Sequence, residues 1–170
     1  ALLREFPNQL WRLVLARFIA QIGLGVTLFY LPVHFSTNIG LSAAQVGLGI
    51  SFGAGCGIFG RMSGGSLADA SSWGRWKTLL LSGILSAIGT ATFAEAESAT
   101  LYFLGSMIQG FGIGLFWPAT DAFVADLVPR ERHQLAFALT RVCDTFGVGL
   151  GVVFAGLILD SLNSYPLLFW

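Results

Sequence analysis

The chain reads as an all-α integral membrane protein, and three observations point there. Apolar stretches of membrane length recur along it. Hydrophobic residues make up 55% of the chain and charged ones only 11%. All nine Lys and Arg residues fall inside those stretches or in alternate breaks between them. Such a chain has lipid as its solvent, because its polar loops are too short to hold a soluble domain.

The first stretch runs from Leu10 to Val33, the second from Ala43 to Ala68, the third from Thr78 to Ala94, the fourth from Ala99 to Val128 and the fifth from Gln134 to Leu159. Each is near or above the ~20 residues a helix needs to cross the hydrocarbon. Tyr165 to Trp170 open a sixth. The chain starts without Met and stops where that helix begins, so it is expected to be a segment of something longer. The first stretch exceeds a signal-peptide core and is followed by Pro32 and His34 rather than a cleavage site, so it belongs to the mature protein.

Orientation follows from the basic residues. Arg4 and Arg12 stand at the head of the first stretch, Arg75 and Lys77 follow the second, and Arg130 and Arg132 separate the fourth and fifth. The breaks at Ser36 to Ser42, Glu95 to Ser98 and Asp160 to Ser164 hold no Lys or Arg. The positive-inside bias therefore puts the N-terminus in the cytoplasm of a cell's inner or plasma membrane. With a formal net charge of zero and no basic run of useful length, nucleic acid is not expected as a partner. Cys56 and Cys143 lie deep in apolar stretches as small core residues. No His or Cys cluster, Ser-His-Asp set or phosphate loop occurs, so no catalytic residue, metal ligand or cofactor is expected, and a membrane enzyme ranks last.

Short breaks suit antiparallel neighbouring helices, and lipid offers them no hydrophobic drive to associate. Close packing then needs small residues at fixed spacing. Gly49, Gly53 and Gly57 form one ladder, continued nearby by Gly60 and Gly64. Gly110 and Gly114 form a second, and Gly147, Gly151 and Ala155 a third. Helix packing accounts for most of these. A weak echo, of a kind common in Gly-rich membrane helices, links Gly23, Gly25, Leu28, Phe29, Tyr30 and Pro32 to Gly112, Gly114, Leu115, Phe116, Trp117 and Pro118. A first-to-fourth correspondence is what a three-helix inverted repeat of a transporter would show.

Gly65-Ser66-Leu67-Ala68-Asp69, followed by Gly74-Arg75-Trp76-Lys77, resembles the signature between the second and third helices of the major facilitator superfamily (MFS). Its Asp-to-Gly interval is two residues longer than usual, and Ala70 fills the first basic position. Gln109-Gly110 resembles the family's Arg-x-x-Gln-Gly element with Ser106 in place of Arg. Ala125 to Pro129 with Glu131 and Arg132 resembles the exit from helix four. Gly147, Gly151, Ala155 and Gly156 resemble the antiporter pattern on helix five, with Val152 for its Pro. Gly40-Leu41-Ser42 with Val46-Gly47 resembles the approach to helix two.

The resemblance implies the N-terminal six-helix bundle of a twelve-helix secondary transporter, five helices complete and a sixth begun. It implies alternating access around a cavity faced by helices one, two, four and five, and a partner in the missing C-terminal half. By resemblance Gly65, Asp69, Gly74, Arg75 and Lys77 form a cytoplasmic gating loop. Topology offers a plainer role, the basic pair anchoring the loop inside. His34 is expected in an outer loop, as a solvated or interfacial residue rather than a proton relay, and His133 to belong to the inner basic loop.

Five ionisable residues sit at bilayer depth: Arg17, Arg61, Asp121, Arg141 and Asp144. Each costs at least ~2.5 to 3.5 kcal/mol on insertion scales, so each needs a partner, a wet cavity or a function. Arg141 lies roughly 15 Å along its helix from Glu131, near mid-membrane. Arg141 and Asp144, three apart, share a face and can neutralise each other, with Arg17 or Arg61 on Asp121. Alternatively, three Arg against two Asp leave positive charge around a cavity for a carboxylate, phosphate or sulfonate of a small-molecule substrate. Proton coupling through Asp121 or Asp144 is the third reading. Outside transport, a transporter-like subunit with a structural or assembly role in a larger membrane complex stays open, given the departures at Ser106 and Val152.

Overall fold

The computed structural model describes residues 6–162, with side chains through Ile158. Every regular element among them is helical. α1 spans Asn8–Thr37, α2 Ala43–Asp69, α3 Gly74–Ala94, α4 Ala99–Leu127 and α5 His133–Leu162, with a single 3-10 turn at Arg130–Arg132 before α5. All five α-helices are long and apolar enough to cross a membrane. The shortest, α3, has 21 residues, about 31 Å at 1.5 Å per residue, which matches the hydrocarbon thickness. The expected sixth helix at Tyr165 to Trp170, and Arg4, lie outside the described residues.

Local chemistry sets the ends. Gly40 has φ of 77°, a left-handed conformation that glycine adopts without steric cost, and the chain turns there after α1. Ser42 then caps α2: the Gln45 backbone N–H donates to its hydroxyl at 3.3 Å, and the Ser42 N–H donates to the Gln45 side-chain oxygen at 2.9 Å.

One expectation is corrected at a proline. α1 continues past Pro32 and the expected end at Val33 to Thr37, whereas α4 runs through Pro118 to Leu127, in line with the fourth stretch. Transmembrane helices tolerate proline because neighbours and local adjustment re-satisfy the freed backbone. The longer α1 also relocates His34. Rather than standing solvated in an outer loop, it is buried in the last turn of α1, its ring edge-on to Phe35 at 5.2 Å. His133 begins α5, with Nε2 at 2.8 Å from the Val128 carbonyl and 3.1 Å from that of Ala125.

The described chain divides into two compact units. One comprises the residues up to Tyr30 and those from Asp121 onward, with a core of Phe6, Leu10, Val14, Val124, Val128 and Ala136. The other comprises Leu31–Thr120, with a core of Leu31, Phe35, Val46, Phe93, Ala96 and Tyr102. In this second unit Gly49, Gly53, Gly57, Gly60 and Gly64 of α2 abut α4. A methyl on Gly53 would meet the Ser106 carbonyl at 2.8 Å, one on Gly57 the Gly110 carbonyl at 3.2 Å, and one on Gly64 the Leu115 Cα at 3.0 Å. The backbones therefore touch, as small-residue packing in lipid requires.

Candidate functional site

The unit built from α1, α5 and the end of α4 holds four of the five membrane-depth charges, and their placement begins with helix arithmetic. Arg17 stands about 14 Å along α1 from Asn8, Arg141 and Asp144 about 12 and 16 Å along α5 from His133, and Asp121 about 9 Å back from the end of α4 at Leu127. All four thus stand between about two and three turns inside their helices, counted from the end that carries the basic α4–α5 turn.

Close approach of α1 and α5 brings them together. A methyl on Gly147 would meet the Phe18 carbonyl at 2.8 Å and Gln21 Cβ at 2.9 Å, and one on Gly151 would run into the Ile22 carbonyl. Further along, one on Gly156 would reach the Tyr30 hydroxyl at 2.8 Å, and that hydroxyl donates to the Val152 carbonyl at 3.1 Å. Gly147 and Gly151 let α1 lie against α5 at backbone distance, and Gly156 makes room for the Tyr30 side chain.

Arg17 is the centre of the cluster. Its Nη2 donates to Asp144 Oδ2 at 2.6 Å and its Nε to Asp144 Oδ1 at 3.2 Å, a two-pronged grip that suits a planar guanidinium and a carboxylate. Its Nη1 donates to Asp121 Oδ1 at 2.9 Å. The other Asp121 oxygen accepts from Arg141 Nη2 at 3.3 Å. Two guanidinium groups and two carboxylates are therefore chained in the order Asp144, Arg17, Asp121, Arg141 across three helices.

This pairing differs from the one expected from spacing. Asp144 is gripped on both oxygens by Arg17 from α1, and Arg141 reaches to Asp121, 20 residues back. Sharing a helix face brings two residues near each other, but the fork of Arg17 approaches Asp144 head-on from the neighbouring helix. Of the two arginines expected on Asp121, Arg17 is the one found there, with Arg141 on the other oxygen. Arg61 sits on α2 in the other unit, its side chain exposed. With two Arg and two Asp, the four-residue cluster is formally neutral.

The gating-loop candidates fall at the α2–α3 turn. Asp69 is the last residue of α2 and is exposed. Gly74 opens α3 with φ of 77°. Lys77 Nζ donates to the Ser72 carbonyl at 3.1 Å and lies 5.7 Å from the centre of the Trp73 ring, so it braces its own loop. Gly65 lies one turn before Asp69, and Arg75 is half-buried one residue after Gly74.

One polar residue of the site went unnoticed in the sequence. Gln21 is buried, one turn beyond Arg17 and against Gly147. Its four-residue spacing from Arg17 in an otherwise apolar helix was the available signal. Among the described residues no group of three or more His, Cys, Asp or Glu side chains is arranged to hold a metal.

Comparison with known proteins bears on the whole chain. The model of the Major Facilitator Superfamily matches residues 13–170. The chain is 25% identical to the MFS-type transporter YqjV of Bacillus subtilis (strain 168), over 93% of this chain and 38% of that protein. It is 28% identical to the multidrug resistance protein MdtH of Cronobacter sakazakii, over 87% and 36%. It is 27% identical to a Na(+), Li(+), K(+)/H(+) antiporter of Planococcus maritimus, over 82% and 33%. The chain thus spans less than two fifths of the length of these relatives.

Proposed function

This chain belongs to the major facilitator superfamily, and from that premise we propose that it forms the N-terminal bundle of a secondary active transporter that moves a small solute by alternating access. The observation that carries the reading is the chain of ion pairs from Asp144 through Arg17 and Asp121 to Arg141. Ionisable groups at bilayer depth are costly and concentrate on substrate and ion pathways. Here they join three helices, so a change in any pair is felt by α1, α4 and α5 together. Alternation between two states needs such contacts to differ between them.

In this reading the N-terminus is cytoplasmic, the loop of Gly65, Asp69, Gly74, Arg75 and Lys77 closes the inner face in one state, and the remaining helices come from a C-terminal half. Relatives bearing multidrug and cation/proton antiporter names favour a transport role and leave the solute undetermined between them.

The test is water access in the full-length protein in membrane vesicles. With Cys in place of Arg141, a membrane-impermeant thiol reagent is expected to react in at least one state of the transport cycle. Protection in every state would overturn the reading. Copurification with a multi-subunit complex, together with absence of uptake, would favour the assembly role instead.

A further inference from the structure

We propose that Arg141 receives an anionic group of the solute, a carboxylate, phosphate or sulfonate, by exchanging Asp121 for it while Arg17 holds Asp121 and Asp144 in place. The inference rests on the transport reading and deepens it by naming the substrate class.

The two arginines are not equivalent. Arg17 has 1% of its side chain exposed and grips an Asp144 that is 7% exposed, whereas Arg141 is 55% exposed and shares with Arg17 an Asp121 that is 32% exposed. Breaking the first pairing would leave buried charge uncompensated. Breaking the second would not, because Asp121 keeps its 2.9 Å bond to Arg17 on the other oxygen. An anion arriving at Arg141 therefore displaces a carboxylate that already has a second cation. A cation arriving at Asp121 would have to settle beside two guanidinium groups within 3.3 Å of that carboxylate. The same neutral cluster thus accepts negative charge more readily than positive.

The exposed surface around Arg141 joins polar side chains to the small Ala138. Gln134 and Thr145 are exposed and, at 3.6 residues per turn, fall on the same face of α5 as Arg141. The neighbouring exposed face, carrying Val142, Phe146 and Val153, is apolar and suits lipid. The guanidinium is thus directed to the one exposed face of α5 that water or a polar solute would favour, and its planar fork fits the oxygens of all three anion classes.

A charge-reading experiment at Thr145 tests this. Thr145→Cys is made in the full-length protein with Cys56→Ala, Cys143→Ala and any other reactive cysteine removed. It is labelled in vesicles with sulfonatoethyl and trimethylammonioethyl methanethiosulfonate. Relative to their ratio with 2-mercaptoethanol, the sulfonate reagent is expected to be favoured by roughly threefold or more. Excess benzenesulfonate should slow the labelling. Arg141→Gln should abolish both the preference and the protection, while Arg141→Lys should keep the preference and weaken the protection.

The inference is overturned by a preference for the trimethylammonium reagent, by a ratio indifferent to both Arg141 variants, or by absence of benzenesulfonate protection. Labelling at Arg141→Cys but not at Thr145→Cys also overturns it, leaving transport standing. Failure to label either position brings down the transport reading itself.

Discussion

The two units of this chain solve the same problem, holding helices together in lipid, by opposite means. Between Leu31 and Thr120 the helices meet through bare backbone and aromatic rings. Gly53, Gly57 and Gly64 of α2 lie against α4, Phe35 stacks on Tyr102 with centroids 4.4 Å apart, and the Tyr102 hydroxyl donates to the Val46 carbonyl at 3.0 Å. In the unit of α1, α5 and the end of α4, glycines again allow close approach, but charge is carried into the contact. Ring and glycine packing needs no desolvation of ions. Ion pairs at depth do, and replacing such a pair by well-packed apolar residues is often neutral or stabilising. Stability alone therefore does not account for the second arrangement, which is the one the proposed transport role puts to use.

That contrast can be broken most severely at Arg17. Arg17→Leu takes the guanidinium from buried Asp144 and leaves Asp121 to Arg141 alone, and is expected to destabilise the fold by about 3–5 kcal/mol, read as loss of resistance to unfolding in mixed detergent micelles. Adding Asp144→Leu should recover part of the loss; no recovery would mean that Arg17 acts by packing rather than charge. In the other unit, Gly53→Val drives a branched side chain toward the Ser106 carbonyl and is expected to cost about 1–3 kcal/mol in the same assay. An unchanged midpoint would show that α2 and α4 are not in backbone contact.

Smaller effects sharpen the comparison. Tyr102→Phe keeps the ring cluster and removes the bond to Val46, for an expected loss of about 0.5–1.5 kcal/mol. Arg141→Gln, at the exposed end of the charged chain, is expected to change stability by less than about 1 kcal/mol, while altering solute-linked labelling. If Arg141→Gln proved as damaging as Arg17→Leu, the distinction between a holding arginine and a receiving one would be lost.

The legibility of this protein in its sequence was uneven for a physical reason. Leu10 to Val33 and Ala43 to Ala68 became Asn8–Thr37 and Ala43–Asp69, because backbone groups in hydrocarbon must be satisfied within the segment and an apolar run of that length has few ways to do so but a helix. Pro32 misled because its breaking power is judged against water. His34 followed, since the turn that buries it exists only when α1 continues.

The sequence by itself determined that these segments are membrane-length helices and which residues are small enough for backbones to touch, both of which depend on local composition and spacing. Only the tertiary structure decided that Asp144 belongs to Arg17 and that Asp121 is shared with Arg141. Ion-pair choice depends on the approach angle of a guanidinium from another helix, and that angle is set by where glycines let α1 and α5 close, not by distance along the chain.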